Sequence, residues 1–414
     1  MSAGHQREPK LDGRQAWVIA IASLLLVSFG MGGMMSLSVS LKDMSAEFDW
    51  PRSVPSLAYA FFMLGIGSAG VIMGRWMDRA GIGPPLLVAA LIIPSAALTV
   101  SHVTTAWQLY VVYGVMFGFL GTGVLFICLL TNATRWFKRN RGLAVALVAS
   151  GQSVGGAIWP RLIEFGNAEI GWRSTFTVFG FGAFLVMLPL VFVINRKPPV
   201  EPVATSGALR GNGGITLRDN LPQIVLCAAI LCCCVTMAMP LLHMAAHVSD
   251  VGYTLRRGAE VLSFILIASF VGRIGMGWLT DQIGALKSML LGSILQAAGT
   301  AVFVVSDSLS GIYAGAVFFG LGFGGLVPMY AVALRDIYPA NQAGWRFGTI
   351  FIFGALGMAL GGQVAGVIFD LTDSYQLAFA LGFVFNLFNL ALLVCVMTIT
   401  RRPRPALASA QAIR

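Results

Sequence analysis

Gly74-Arg75-Trp76-Met77-Asp78-Arg79-Ala80-Gly81 closes one long apolar run, and Gly277-Trp278-Leu279-Thr280-Asp281-Gln282-Ile283-Gly284 closes another. Gly, Asp and Gly recur at an offset of 203 residues. Further on, Gly142, Gly151, Gly155 and Gly156 recur as Gly348, Gly357, Gly361 and Gly362 at an offset of 206. The chain therefore reads as two related halves in tandem. The apolar runs before each motif are about 20 residues long, enough to cross a hydrocarbon core roughly 30 Å thick.

The composition agrees. Of 414 residues, 57% are hydrophobic and 11% charged, against about 25% charged in soluble domains. Mean hydropathy is +0.81, which excludes a water-soluble fold. Polar punctuation divides the chain into about twelve apolar segments, from 16–41 to 375–399. The fold class expected is an all-α membrane protein with twelve transmembrane helices in two pseudo-symmetric six-helix bundles, 1–194 and 221–414. Residues 195–220, rich in Pro and Gly, form the linker loop between them. Gly70–Gly74, Gly151–Gly155 and Gly357–Gly361 have the small-xxx-small spacing that lets membrane helices approach closely.

The net charge of +10 is a topology signal before it is a nucleic-acid signal. With the amino terminus in the cytoplasm, twenty Lys and Arg fall on that side and six on the other. Both termini are then cytoplasmic, and no nucleic-acid partner is expected. The 6 cysteines lie in or at the end of apolar runs and read as packing residues. The histidines, His5, His102, His243 and His247, form no metal or nucleophile cluster, so neither an enzyme nor a cofactor is expected. A Gly-rich phosphate loop followed by Lys-Ser or Lys-Thr is missing, which argues against ATP drive. Parallel six-helix repeats around a central site describe a rocker-type secondary transporter.

Arg273 is the one cation that topology does not absorb. It lies eight residues before Asp281, about 12 Å along a helix from the membrane surface. A guanidinium at that depth costs at least ~2.5 kcal/mol and commonly marks a substrate path. Its planar fork suits a carboxylate. Tyr113, Tyr330, Ser269 and Gln152 are further substrate-binding candidates. His243 and His247, one turn apart beside Pro240, and Arg161, after Pro160, are candidates for proton transfer or an outer gate. Bland readings compete with each: helix carbonyls could satisfy Arg273, and interfacial His or Tyr are common anchors.

The Gly74 to Gly81 stretch resembles the loop signature of the major facilitator superfamily between its second and third helices, with a degenerate copy after the eighth. That resemblance implies that Asp78, Arg79 and Asp281 form a cytoplasmic gate, each aspartate meeting a helix amino terminus of the opposite bundle. Asp12-Gly13 with Trp17, Phe48-Asp49-Trp50-Pro51-Arg52, Arg135-Trp136-Phe137 through Arg141-Gly142, and Gly366 through Phe369-Asp370 to Ser374-Tyr375 are similar to the monocarboxylate and oxalate/formate branch. Arg273-Ile274-Gly275-Met276-Gly277 resembles the segment that carries the branch's substrate-binding arginine. Met35 and Ser269 replace the lysine and aspartate of its animal proton-coupled members, and no Lys or Arg lies between Phe347 and Thr400, where oxalate exchangers carry a second cation. The resemblance implies a monomeric secondary transporter of a small organic monoanion in a bacterial inner membrane, coupled to protons or to anion exchange. A facilitator exporting hydrophobic or drug-like solutes is the alternative.

Overall fold

The computed structural model describes residues 11–50, 53–199 and 217–401. Twelve of its helices are long and apolar enough to cross a membrane. They are α1 (Arg14–Phe48), α2 (Ser53–Ala80), α3 (Gly83–Val100), α4 (Ala106–Trp136), α5 (Arg141–Ile170) and α6 (Trp172–Ile194) in the first bundle. The second holds α7 (Leu217–Asp250), α8 (Leu255–Ile283), α9 (Ala285–Val305), α10 (Leu309–Ile337), α11 (Ala343–Thr372) and α12 (Gln376–Arg401). The helix α7 takes in residues 217–220, which the sequence reading assigned to the linker. Side chains such as Leu185, Phe181 and Ile267 point outward, as expected where lipid replaces water outside a bundle.

The last glycine of each motif acts as a turn residue. Gly81 and Gly284 have φ of 81° and 88°, a left-handed conformation that costs glycine nothing, and each lets one long helix double back into the next. Other glycines mark close approaches between the bundles. A Cβ on Gly74 would run into the Gly344 carbonyl, and one on Gly142 into the Gly277 carbonyl. The contacts pair Gly142 with Gly344, each facing a motif glycine, whereas the 206-residue offset aligned Gly142 with Gly348. Gly151 and Gly155 against α1 do correspond to Gly357 and Gly361 against α7, so between these points α11 is four residues longer, about one helical turn.

Two helices depart from regular α geometry. The helix α5 is interrupted at Ser150, between segments Arg141–Ala149 and Gly151–Ile170. Residues Val112–Thr122 of α4 are wound as a π-helix, a form with i→i+5 hydrogen bonds that is rare and concentrates at functional sites. The counterpart α10 is α-helical throughout.

Candidate functional site

Helices α2, α8, α5 and α11 bring the two motifs to the end of the molecule that also carries the linker, here the linker side. Asp78 at the end of α2 accepts hydrogen bonds from the backbone N–H groups of Gly344 (3.3 Å) and Trp345 (3.1 Å) in the first turn of α11. Arg135 of α4 donates to the same carboxylate at 2.6 Å and to the Ala340 carbonyl at 3.2 Å. Asp281 at the end of α8 repeats the arrangement on α5, accepting from Gly142 N (2.6 Å) and Leu143 N (3.0 Å). Both carboxylates satisfy orphan donors at the positive end of a helix dipole in the opposite bundle. Arg141 adds an ion pair with Asp336 at 3.0 Å. Arg79 stays exposed, and the charge that meets Asp78 is Arg135.

The residues of the Asp12-Gly13 signature support the second of these latches. The Asp12 carboxylate accepts from the N–H groups of Lys138, Arg139 and Asn140, just before α5. Trp17 packs edge-on against Phe137, with ring centroids 4.9 Å apart.

Above the latches, the contacts between the bundles among the described residues reach mid-depth. Along the α8 face that meets α5, exposure falls from 51% at Leu266 to 40% at Phe270 and 9% at Arg273. Beyond it, Gly277 touches Ala146 and Gly142. On the other side of the molecule, Gly67 approaches Ala355, and Phe126 and Phe351 pack 5.2 Å apart. The hydrogen bonds described between bundles all lie at or below the level of Arg273. The bundles therefore close together at the linker side and diverge away from it, with Arg273 at the floor of the cleft.

Arg273 bridges that floor. Its Nε donates to the Gly324 carbonyl of α10 at 2.9 Å, and its Nη1 donates across the interface to the Ala149 carbonyl of α5 at 2.6 Å. Ala149 precedes the interruption at Ser150. The bonds to helix carbonyls that competed with the anion reading are thus present, and they join two different bundles.

The remaining candidates disperse. Tyr113 is 0% exposed, inside the first bundle, with its hydroxyl 3.4 Å from Ser36 Oγ. Tyr330 is also 0% exposed, and its hydroxyl has no partner among the described residues. Ser269 is buried and donates to Leu266 O at 2.8 Å. In this conformation these three do not line the cleft, because each points into its own bundle. Gln152 is half-buried on α5, two residues past the interruption, and Arg161 is exposed further along. His243 Nε2 donates to the Gly362 carbonyl at 3.0 Å. His247 is buried against Tyr375 and Phe379. Both histidines pack within the second bundle at the end away from the linker. No three His, Cys, Asp or Glu side chains converge as metal ligands among the described residues. Arg52 and the side chain of Asp370 lie outside the described residues.

Two bundles related by an internal repeat, latched at one end and parted at the other around a buried cation, have the architecture of a membrane transporter. The family model for the Major Facilitator Superfamily matches residues 21–274 and 224–414, and the chain belongs to that family. It is 25% identical over 393 residues to the uncharacterized MFS-type transporter YcxA of Bacillus subtilis (strain 168), covering 90% of this chain and 93% of the relative. Monocarboxylate transporter 13 of Rattus norvegicus is 22% identical over 421 residues, covering 97% of this chain and 94% of the relative. Among solved structures, the transporter FucP in the outward conformation superimposes with a TM-score of 0.68 at 14% identity, over 92% of this chain and 99% of FucP. The proton:xylose symporter XylE gives 0.72 at 12% identity, over 92% of this chain and 95% of XylE. These two likenesses establish the fold. The protein is a multi-pass membrane transporter, not an enzyme.

Proposed function

We propose that this transporter carries a small organic monoanion of the monocarboxylate type by alternating access, coupled to protons or to exchange of a second anion. The single observation that carries the reading is Arg273: a guanidinium at mid-depth, at the foot of the cleft, where both bundles can reach it. A monoanion with an apolar body suits one cation set beneath Leu266 and Phe270. Gln152 is retained as a neighbouring contact. Tyr113, Tyr330 and Ser269 would join the site only after their helices rearrange. Asp78 and Asp281, with Arg135 as the partner of Asp78, hold the linker side shut. His243, His247 and Arg161 belong to the opposite end, where they would shape the outer entrance. By the charge bias, the linker side is cytoplasmic and the membrane is a bacterial inner membrane, with the protein acting as a monomer.

The test uses purified protein in liposomes, offered lactate, pyruvate, formate, oxalate and larger acids with and without a pH gradient. Thermal stabilisation by the same acids is read on the parent, Arg273→Lys and Arg273→Ala. Stabilisation is expected in the parent, weakened in Arg273→Lys, which loses the planar fork, and lost in Arg273→Ala. Equal stabilisation of Arg273→Ala would refute the assignment. A second reading, export of apolar or drug-like solutes, is favoured by the two carbonyl bonds that already occupy Arg273. It predicts transport that survives Arg273→Ala.

A further inference from the structure

We propose that the Ala149 carbonyl and the carboxylate of the transported anion compete for the same Nη1 of Arg273, so that loading the site undoes a tie between the bundles. This rests on the organic-anion reading above and adds a mechanism by which the anion changes the conformation.

A guanidinium has five N–H groups, only one of them on Nε. That one is held by Gly324 of the same bundle. A carboxylate that is to be gripped by two parallel bonds must then use the terminal fork of Nη1 and Nη2. Nη1, one arm of that fork, is the atom that reaches across to Ala149; it carries two N–H groups, and seating a carboxylate in the fork draws the guanidinium toward the cargo and away from the Ala149 carbonyl. A carboxylate is the stronger acceptor, because a bond between two charged groups exceeds one to a neutral carbonyl. Binding therefore exchanges an interaction between bundles for one between the second bundle and its cargo.

The surroundings favour that exchange. Ala149 stands at the end of the first segment of α5, immediately before the interruption. The second bundle keeps Arg273 through Gly324, so the cation stays with α8 and α10 when α5 is released. The position equivalent to Arg273 in the first half is Gly70, which packs on the Gly348 backbone with no side chain to release. The tie is thus on one side of the pseudo-symmetric interface only, and it is made of the group the cargo needs. A ligand shifts a conformational equilibrium only through its differential affinity for the two states, and here the difference is the Ala149 bond.

The test measures the distance between spin labels at R196C and K287C, two exposed linker-side positions outside the latches, in a Cys232→Ala, Cys395→Ser background reconstituted in lipid. The parent without anion is expected to show mainly the short distance. R273A without anion should raise the linker-open population roughly tenfold or more, the effect of losing a charged hydrogen bond. Millimolar lactate, pyruvate or benzoate should open the parent and leave R273A unchanged. R273Q, which removes the cation and shortens the reach, gives the same comparison if R273A fails to fold. An anion-free distribution in the variants identical to the parent's overturns the tie, whatever the acids do. Opening of R273A without anion, beside a parent whose distances none of the three acids changes, overturns the competition. A variant that opens without anion yet is still stabilised by the acids leaves the tie standing and refutes Arg273 as the anion site.

Discussion

The two latches share a geometry but differ in strength, and that difference is measurable. Asp78 faces two backbone N–H groups and Arg135, with side-chain exposures of 6% for the carboxylate and 15% for the arginine. Asp281 accepts from two N–H groups, and the Arg141 guanidinium that acts on it through its charge forms an ion pair with Asp336. Replacing Asp281 by Asn leaves one acceptor oxygen for two donors and removes the charge, a loss of about 1.5 kcal/mol from the linker-closed state. Asp78→Asn removes the same interactions and also strands a largely buried guanidinium, which raises the loss to about 3 kcal/mol or more. The difference of about 1.5 kcal/mol corresponds to roughly tenfold in an equilibrium constant. Hydrogen–deuterium exchange reads it at the capped amides. Exchange at Gly344 and Trp345 in Asp78→Asn should accelerate roughly ten times more than exchange at Gly142 and Leu143 in Asp281→Asn. Equal acceleration, or the reverse order, would refute the argument that Arg135 strengthens the first latch.

Other expectations follow from single positions. Burial holds the His247 imidazole below its ordinary value of 6.5, against opposing pulls from Asp307 and Asp250; His247 lies beyond the apolar window Asn220–Met244. Its unfolded form binds more protons, so stability should fall as pH drops below about 6.5, and His247→Phe should flatten the melting temperature between pH 7 and 5. A Cβ on Gly324 would strike the Ser269 carbonyl, whereas one on Gly182 meets nothing within 4 Å. Gly324→Ala should therefore lower the melting temperature sharply and Gly182→Ala hardly at all, read side by side in detergent. If the empty carrier is held by the Arg273 tie, exchange of labelled for unlabelled anion should run faster than net uptake, and equal rates would count against it.

Some of this was legible in the sequence for definite reasons. Asp78 and Asp281 could be found because a motif written twice at the same offset survives the uniform apolarity around it. Arg273 stood out because a charge in a long apolar run has few explanations. Its partners were invisible, since Ala149 and Gly324 act through backbone carbonyls that every residue type carries. Arg135 falls among the linker-side charges and heads the Arg135-Trp136-Phe137 stretch of the family resemblance, but nothing in its spacing ties it to Asp78, 57 residues earlier. Tyr113 and Tyr330 looked like cavity residues because a helix that is apolar all round gives no indication of which face is inward. The offset that aligned Gly142 with Gly348 followed residue type, while the contacts follow the position of the facing motif glycine.

The π-wound stretch of α4 also bears on which changes of length the chain can absorb. The span Ala106–Trp136 uses 31 residues where its counterpart Leu309–Ile337 uses 29. A π-turn holds one residue more than an α-turn, so removing a residue between Val112 and Thr122 can relax the winding and leave Tyr110 and Arg135 where they were. The same deletion in α10 has no slack to draw on and would rotate everything beyond it by about 100°. Shortened variants of this transporter should therefore keep their fold when the lost residue comes from Val112–Thr122 of α4, and lose it when it comes from the middle of α10.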